Sequence, residues 1–562
     1  MSRIKANNIT PFSGQNVTLG GNAVPSDSNK NLGAEANPWA ELYVSTGSVN
    51  FVSGFSTIAS IKAGGEAGLN PVIPSGMVFI DTVGTLPGGI LRGSFSVGRQ
   101  NRALGTSSLA VGTANTASGN FSLAQGQDNK ALGLGSHAEG NQTLATESFS
   151  HAEGFGTQAR GYGSHAEGSS AITYGSYSHA EGSSTAYSSY SHAEGYQTIT
   201  GISGSSPLDG QYAHAEGSST EAKGNYSHAE GSDTVASGSF SHAEGQYTIA
   251  LAAGSHAEGY NTRANGGYSH AEGRETIALS EGSHTEGYIT TASGNYSHAE
   301  GSSSLASGIA SHAEGYDTVA SGLGSHAEGN LTTTSGDYSH AEGNTTISSA
   351  SYSHAEGSLA RALGIASHAE GYNTRANGGY SHAEGNITQT GPSAQYAHAE
   401  GNDTRANGAG SHAEGFSTYA NGASSHAEGA GTTSTGEMSH AEGSATNAIG
   451  YASHAEGSST VALGEYSHAG GLYTVASGSY QTVVGEYNTL GDTTSHFIVG
   501  GGVSGSRKDA FKVTHSSSIV VATQSAVPSW TGTEGEMVPY VSGSVYRLYA
   551  YLGGAWRSSS FA

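Results

Sequence analysis

SHAEGYNTRANGGY, Ser367 to Tyr380, is one copy of a unit that repeats through most of this chain. From His137 to His468 its opening word, mostly SHAEG, recurs 24 times, with the histidines almost always 14 residues apart. A fixed period of this kind marks a solenoid, in which one supersecondary unit is copied and stacked. The unit has two halves on one plan, S-x-A-x-G and then T-x-A-x-G, each read as a short strand ended by glycine.

The register extends past the histidines on both sides. Steps of 14 back from His137 reach Leu123 in SLAQG, Leu109 in SLAVG and Phe95 in SFSVG, and the step forward from His468 reaches Thr482 in QTVVG. The solenoid is therefore expected over residues 94–485, between N-terminal β-modules (1–93) and a C-terminal β-tip (486–562). Three spacings break the period: 13 residues from His179 to His192, 22 from His192 to His214, and 16 from His382 to His398. The last two are insertions, around Pro207 and Pro392, and read as loops bulging from one corner.

Alternation assigns the faces. Successive strand residues point to opposite sides, so Ser and Ala of the first strand share one face while His and Glu share the other. Thr and Ala pair in the same way in the second strand. These four positions are small in nearly every copy and suit a narrow interior, whereas Val235, Ile249, Arg263, Gln389 and Tyr419 occupy a variable, outward position. So thin a coil buries little apolar area and would be marginal alone. His and Glu, though outward, hardly vary, and the degenerate coils carry Phe95 and Val97, Leu109 and Val111, or Thr482 and Val484 in their place. Apolar residues there imply a covered face, and identical chains around a threefold axis are the economical cover. The expected axial ladder is represented by His137 and Glu139, His165 and Glu167, His228 and Glu230, His256 and Glu258, His326 and Glu328, His412 and Glu414, and His454 and Glu456. Pairing along it predicts raised His and lowered Glu pKa values.

The SLAVG and SLAQG coils resemble the NSVAIG-type repeats of YadA-like trimeric adhesin heads, and the SHAEG copies resemble repeats of phage tail-fibre and appendage proteins. The resemblance implies an all-β, trimeric, left-handed parallel β-roll. Leu32 to Val52 looks like the β-modules that precede phage shafts, and His496 to Val513 is similar to the segment after SHAEG arrays. The tail from Pro528 resembles the small β-tips of phage structural proteins. No membrane-anchor barrel of the autotransporter kind and no self-cleaving chaperone domain is recognisable after the roll.

Composition narrows the classes further. Eighty-seven glycines, 12% charged residues and 10 prolines in 562 residues do not describe packed globules. Cysteine is absent, which removes disulfides, thiolate metal sites and Cys nucleophiles. The start, MSRIKANNITPFSG, has no apolar core of signal-peptide length, and no apolar run is long enough for a bilayer span. A formal charge of −25 argues against nucleic acid or anionic lipid as a partner.

His beside Glu at i, i+2 invites acid–base or metal chemistry. Catalysis, however, needs one differentiated site, and 24 equivalent copies offer none, so no enzyme and no cofactor is expected. Three His per coil around an axis could offer a metal site without thiolates, but the expected reading is a hydrogen-bonded His–Glu ladder between chains with no metal. Arg263, Arg375 and Arg405 read as solvated turns. Tyr226, Tyr268, Tyr296, Tyr338 and Tyr380, just before the word, read as corner residues stacking between coils. The function expected is a virion fibre, assembled in the host cytoplasm as a homotrimer and docked on other virion proteins through its N-terminal end. A host glycan or protein is its expected receptor. Tyr540, Tyr546, Arg547, Tyr549, Tyr551, Trp556 and Arg557 form the candidate tip surface, with Trp530 nearby; the same residues could equally be the core of a trimerising cap. The alternatives are a bacterial surface adhesin and a solenoid binding polysaccharide or ice; the latter would need an exposed Thr array.

Overall fold

The computed structural model describes residues 78–83 and 92–561, apart from 205, 207 and 208, and all of these belong to one unit spanning Val72–Ala562. The N-terminal modules expected up to residue 93 lie almost wholly outside the described residues, as does Pro207. Among the described residues there is no helix. The chain winds through about 29 turns of parallel β-solenoid. At one strand spacing of ~4.8 Å per turn the stack is on the order of 140 Å long.

In the coil that opens at Ser367 the strands are His368–Tyr372 and Arg375–Ala376. The second strand is thus only two residues long, less than the T-x-A-x-G pattern implied. Neighbouring coils pair in register, His354 with His368 and His368 with His382, and likewise Arg361 with Arg375 and Arg375 with Gln389. Each corner turns on a left-handed residue, here Asn373 at φ 53° and Tyr380 at φ 56°. Gly371 cannot be replaced cheaply: its φ is 111°, and a Cβ would lie 2.2 Å from the Gly385 carbonyl oxygen of the next coil. The motif serine closes the other corner. Ser381 Oγ donates to the Gly378 carbonyl at 2.6 Å, and Ser227 and Ser150 make the same bond three residues back.

The interior is as the alternation predicted. Ser367, Ala369, Thr374 and Ala376 are all buried, and the apolar core is a column of alanines until Val483 and Ile498 at its end. The two insertions leave from the same corner, after Thr200 and after Thr390, and Pro392 is exposed at the tip of the second. The 13-residue coil lacks its left-handed residue between Gly182 and Thr185. Its two strands run on as one, His179–Ala186, with a register shift at Ser183.

Both ends of the parallel stack are finished by antiparallel strands. Val78–Val83 lies along Arg92–Arg99, and Ser495–Gly501 is followed by Asp509–Thr514 and Ile519–Val521. An exposed parallel edge would template pairing with other chains, and these strands cover it. A separate three-stranded meander, Met537–Ser542, Val545–Leu552 and Ala555–Phe561, completes the chain, with tight turns at Gly543 and at Gly553–Gly554.

Candidate functional site

The long strand of each coil brings its His and Glu to one outer face, and stacking turns that pair into two rows. All 24 motif imidazoles form one unbroken stack from His137 to His468. Successive rings lie nearly parallel, 4.4 Å apart at His137–His151 and 4.9 Å at His454–His468. Even the 13- and 22-residue spacings leave it intact, because His179, His192 and His214 still pair strand to strand. Within a coil, Nε2 faces the Glu carboxylate at 3.2 Å for His137–Glu139, 3.6 Å for His165–Glu167 and His412–Glu414, 3.8 Å for His256–Glu258 and 3.9 Å for His326–Glu328. His454 reaches back to Glu442 at 3.6 Å instead of meeting Glu456, which is 3.2 Å from His468. His228 and Glu230 hold the same register positions.

None of these contacts is a hydrogen bond. Every one of the 24 Nε2 atoms is buried without a hydrogen-bond partner, although the side chains themselves remain about one-third exposed, 34% at His326 for example. Each is covered by its own chain, with a motif glutamate of that chain 3.2–4.0 Å away wherever the pair closes.

The electrostatics correct the sequence reading. Burial, followed by the adjoining imidazoles, lowers the histidines: His192, His256 and His298 fall to about 4, and His151 and His340 move the same way. At these histidines the raised values expected from pairing do not occur, because burial is the largest contribution, the stacked imidazoles add to it, and the carboxylates do not outweigh the two. Glutamates are not uniformly lowered either. Burial, with Glu314 and Glu286, raises Glu300. Burial also raises Glu428 and would raise Glu442, but hydrogen bonding with Glu428 and the nearby His440 and His454 hold Glu442 down.

His137, Glu139 and His151 bring three ligand atoms within 4.8 Å of one another, and equivalent trios repeat along the stack. A tetrahedral zinc ion needs donors converging at ~2.0–2.1 Å from one point. Parallel imidazoles present their nitrogens side by side, so the stack does not converge in this way.

Two further rows flank the ladder. On one corner Tyr177, Tyr190, Tyr212, Tyr226 and Phe240 stack face to face at 4.8–5.3 Å, as expected of corner tyrosines. On the other, Arg274 lies between the rings of Tyr260 and Tyr288 at 5.5 and 5.4 Å. That cluster escaped the sequence reading, although its signal was there: the three residues are 14 apart in one row. Arg263 and Arg375 are exposed, and Arg405 sits over Tyr419 at 5.3 Å.

The C-terminal sheet divides the candidate tip residues. Tyr546, Arg547 and Arg557 are exposed, whereas Tyr549 and Tyr551 are buried and belong to the core of the sheet rather than to its surface. Tyr549 packs edge-on against the partly buried Tyr540 at 5.8 Å, and Tyr551 against Trp556 at 5.3 Å. Trp556 donates its indole N–H to the Trp530 carbonyl at 2.7 Å, and Trp530 donates its own to Glu536. Between roll and tip, burial would raise the Asp492 carboxyl. Hydrogen bonds from Ser495, Thr494 and Lys512 instead hold it at about 2.

No protein-family model matches this chain, and none of the curated proteins compared with it does.

Proposed function

We propose that this chain is the structural subunit of a bacteriophage fibre or appendage, three copies sharing an axis with their His–Glu faces turned inward. The observation that carries the assembly is the outward His–Glu face itself, which stays about one-third exposed, 34% at His326 for example, along 24 coils and turns apolar at Leu109, Val111 and Val484 where the motif lapses. A second copy of the same face repeats at the same 14-residue period, and no irregular partner could match so long a row. The proposal rests for its phage setting on the resemblance of the SHAEG array and its flanks. In this reading the N-terminal end docks on the particle, the roll is a stiff spacer, and the C-terminal sheet is the distal cap. Tyr546, Arg547 and Arg557 are its side chains available to a receptor. The role is mechanical and adhesive, not enzymatic. Burial of Thr374 and its equivalents supports this reading over ice binding, which needs threonines in water.

Two measurements test it. The native mass of the full chain should be three times 56.5 kDa, in a rod by small-angle scattering; a monomer removes the assembly. Labelling of phage particles with an antibody to the chain should decorate a projecting fibre. Decoration of the bacterial surface in uninfected cells would instead identify an adhesin.

A further inference from the structure

Each long strand is preceded by a left-handed corner residue and followed, after its glycine, by an outward residue at the opposite corner. For the strand at His256 these are Gly254 and Tyr260. The two are separated by the whole strand, ~20 Å at ~3.3 Å per residue, and cannot touch within one chain. Their sizes are nevertheless related. Among the 25 strands from His137 to Thr482, seven end on Tyr or Phe, and five of those seven begin after Gly or Ala. Fourteen strands begin after Tyr or Phe, and only two of these, with Phe149–Phe155 and Tyr190–Tyr196, also end on an aromatic. Gly282–Tyr288, Ala310–Tyr316 and Gly410–Phe416 are small–large layers, whereas Tyr226–Ser232 and Tyr380–Asn386 are large–small ones.

Packing inside the chain explains only part of this. A Cβ on Gly254 would come within 2.7 Å of Tyr268, so that glycine makes room for the next ring in its own row. It does not explain why the far corner of the same layer is then aromatic. Gly410 makes the point more sharply: a Cβ there meets only Ser424 Oγ, at 3.7 Å. Its equivalents Ala310 and Tyr380 hold the same backbone conformation with side chains. The aromatics at the far corner lack cover, with Tyr316 at 56% and Phe416 at 59% exposed.

Residues at opposite ends of a strand meet when copies are arranged head to tail in a closed ring, the heterologous contact of cyclic symmetry. We infer that in the assembly the leading corner of each long strand packs against the trailing corner of the neighbouring copy in the same layer. A large residue on one side is received by a small one on the other. The succession of small–large and large–small layers would then fix the axial register, because a slip by one coil sets rings against rings. This rests on the threefold assembly proposed above and adds its lateral contacts.

The chain contains no cysteine, which permits a direct test. Gly410→Cys combined with Phe416→Cys places thiols too far apart to bridge within one chain, since a disulfide requires Cα atoms within ~7 Å. After mild oxidation the full chain should run as a covalent trimer on a denaturing gel, while each single variant stays unlinked. A native trimer that does not cross-link overturns the corner contact and leaves the assembly standing. A native monomer overturns the assembly itself. If oxidation disturbs the roll, Gly410→Tyr serves instead: it should lower the dissociation midpoint of the trimer, and Phe416→Ser should restore it. Strictly additive effects of those two substitutions would count against the contact.

Discussion

The coils at Leu109 and Leu123 and those from His137 onward share one backbone in one register, yet are filled differently inside and out. Leu123 pairs directly with His137, and Gln125 with Glu139, whose carboxylate accepts from the Gln125 amide. Inside, the first coils hold an asparagine column. Asn115 Nδ2 donates to the Val111 and Gly126 carbonyls at 2.7 and 2.8 Å, and its Oδ1 accepts from Asn129 N–H at 2.9 Å. From Thr143 the column becomes threonine, and Thr262, Thr276 and several others have no partner for their hydroxyls. The scaffold is thus set by Gly, the motif Ser and the left-handed corners, while the remaining positions are free to be chosen. Outside, the choice sets what the face offers to a neighbour. Inside, it decides how tightly each coil is bonded to the next.

The largest expected effect breaks the asparagine column. Asn115→Ala orphans two carbonyls and one N–H in the interior, at about 1 kcal/mol or more each, so a loss of ~3–5 kcal/mol is expected. Chemical denaturation of the whole chain would report it as a separate early transition of the first coils, and an unchanged profile would mean that water replaces the amide.

The second effect separates the faces by pH. His151, His192, His256, His298, His340 and others of the stack have folded pKa values below the unfolded ~6.5, so the unfolded chain binds protons that the folded chain refuses. Their contribution is complete above pH 6.5 and declines as pH falls toward about 4, the value reached by His192, His256 and His298. Denaturation midpoints should therefore fall steadily from pH 7 to pH 5. A rise over that range would mean that carboxylates of neighbouring copies hold the imidazoles protonated in the assembly.

These outcomes also mark what was legible in the sequence. Coil length, parallel stacking, the inward Ser, Ala and Thr, and the shared corner of the two insertions followed from period and alternation alone, because a repeat averages away local ambiguity. What escaped depends on neighbours that one coil does not contain. The direction of the His192 shift follows from burial and then from the imidazoles stacked above and below it, not from the adjacent Glu194. Tyr549 and Tyr551 share one strand face with Val545 and Arg547, yet that face is covered only where Tyr540, Trp530 and Trp556 pack. No periodicity could announce a half-covered strand.

A smaller effect is expected from exchanging one face for the other. His326→Leu with Glu328→Val recreates the pair found at Leu109 and Val111, and should cost less than about 1.5 kcal/mol. Glu328→Val alone should be worse than the double change, because it leaves His326 Nε2 buried with the carboxylate at 3.9 Å removed. If the double variant loses the trimer while the single keeps it, the ladder is specific in a way that apolar coils cannot imitate.

The smallest effect is also the most pointed. Thr262 is fully buried and its Oγ1 has no partner, whereas Asn115, at the equivalent position ten coils earlier, is bonded three ways. Replacing a hydroxyl by a methyl usually costs stability in a core because a hydrogen bond goes with it. Here there is none to lose, and removing an unsatisfied polar group gains back its desolvation. Thr262→Val should therefore leave the denaturation midpoint unchanged or raise stability by about 1 kcal/mol. A loss of 1 kcal/mol or more would mean that the hydroxyl is bonded after all, through a rotamer shared down the column. The threonine interior would then be a hydrogen-bonded ladder like the asparagine one, and the contrast between the two regions would lie only on their outer faces.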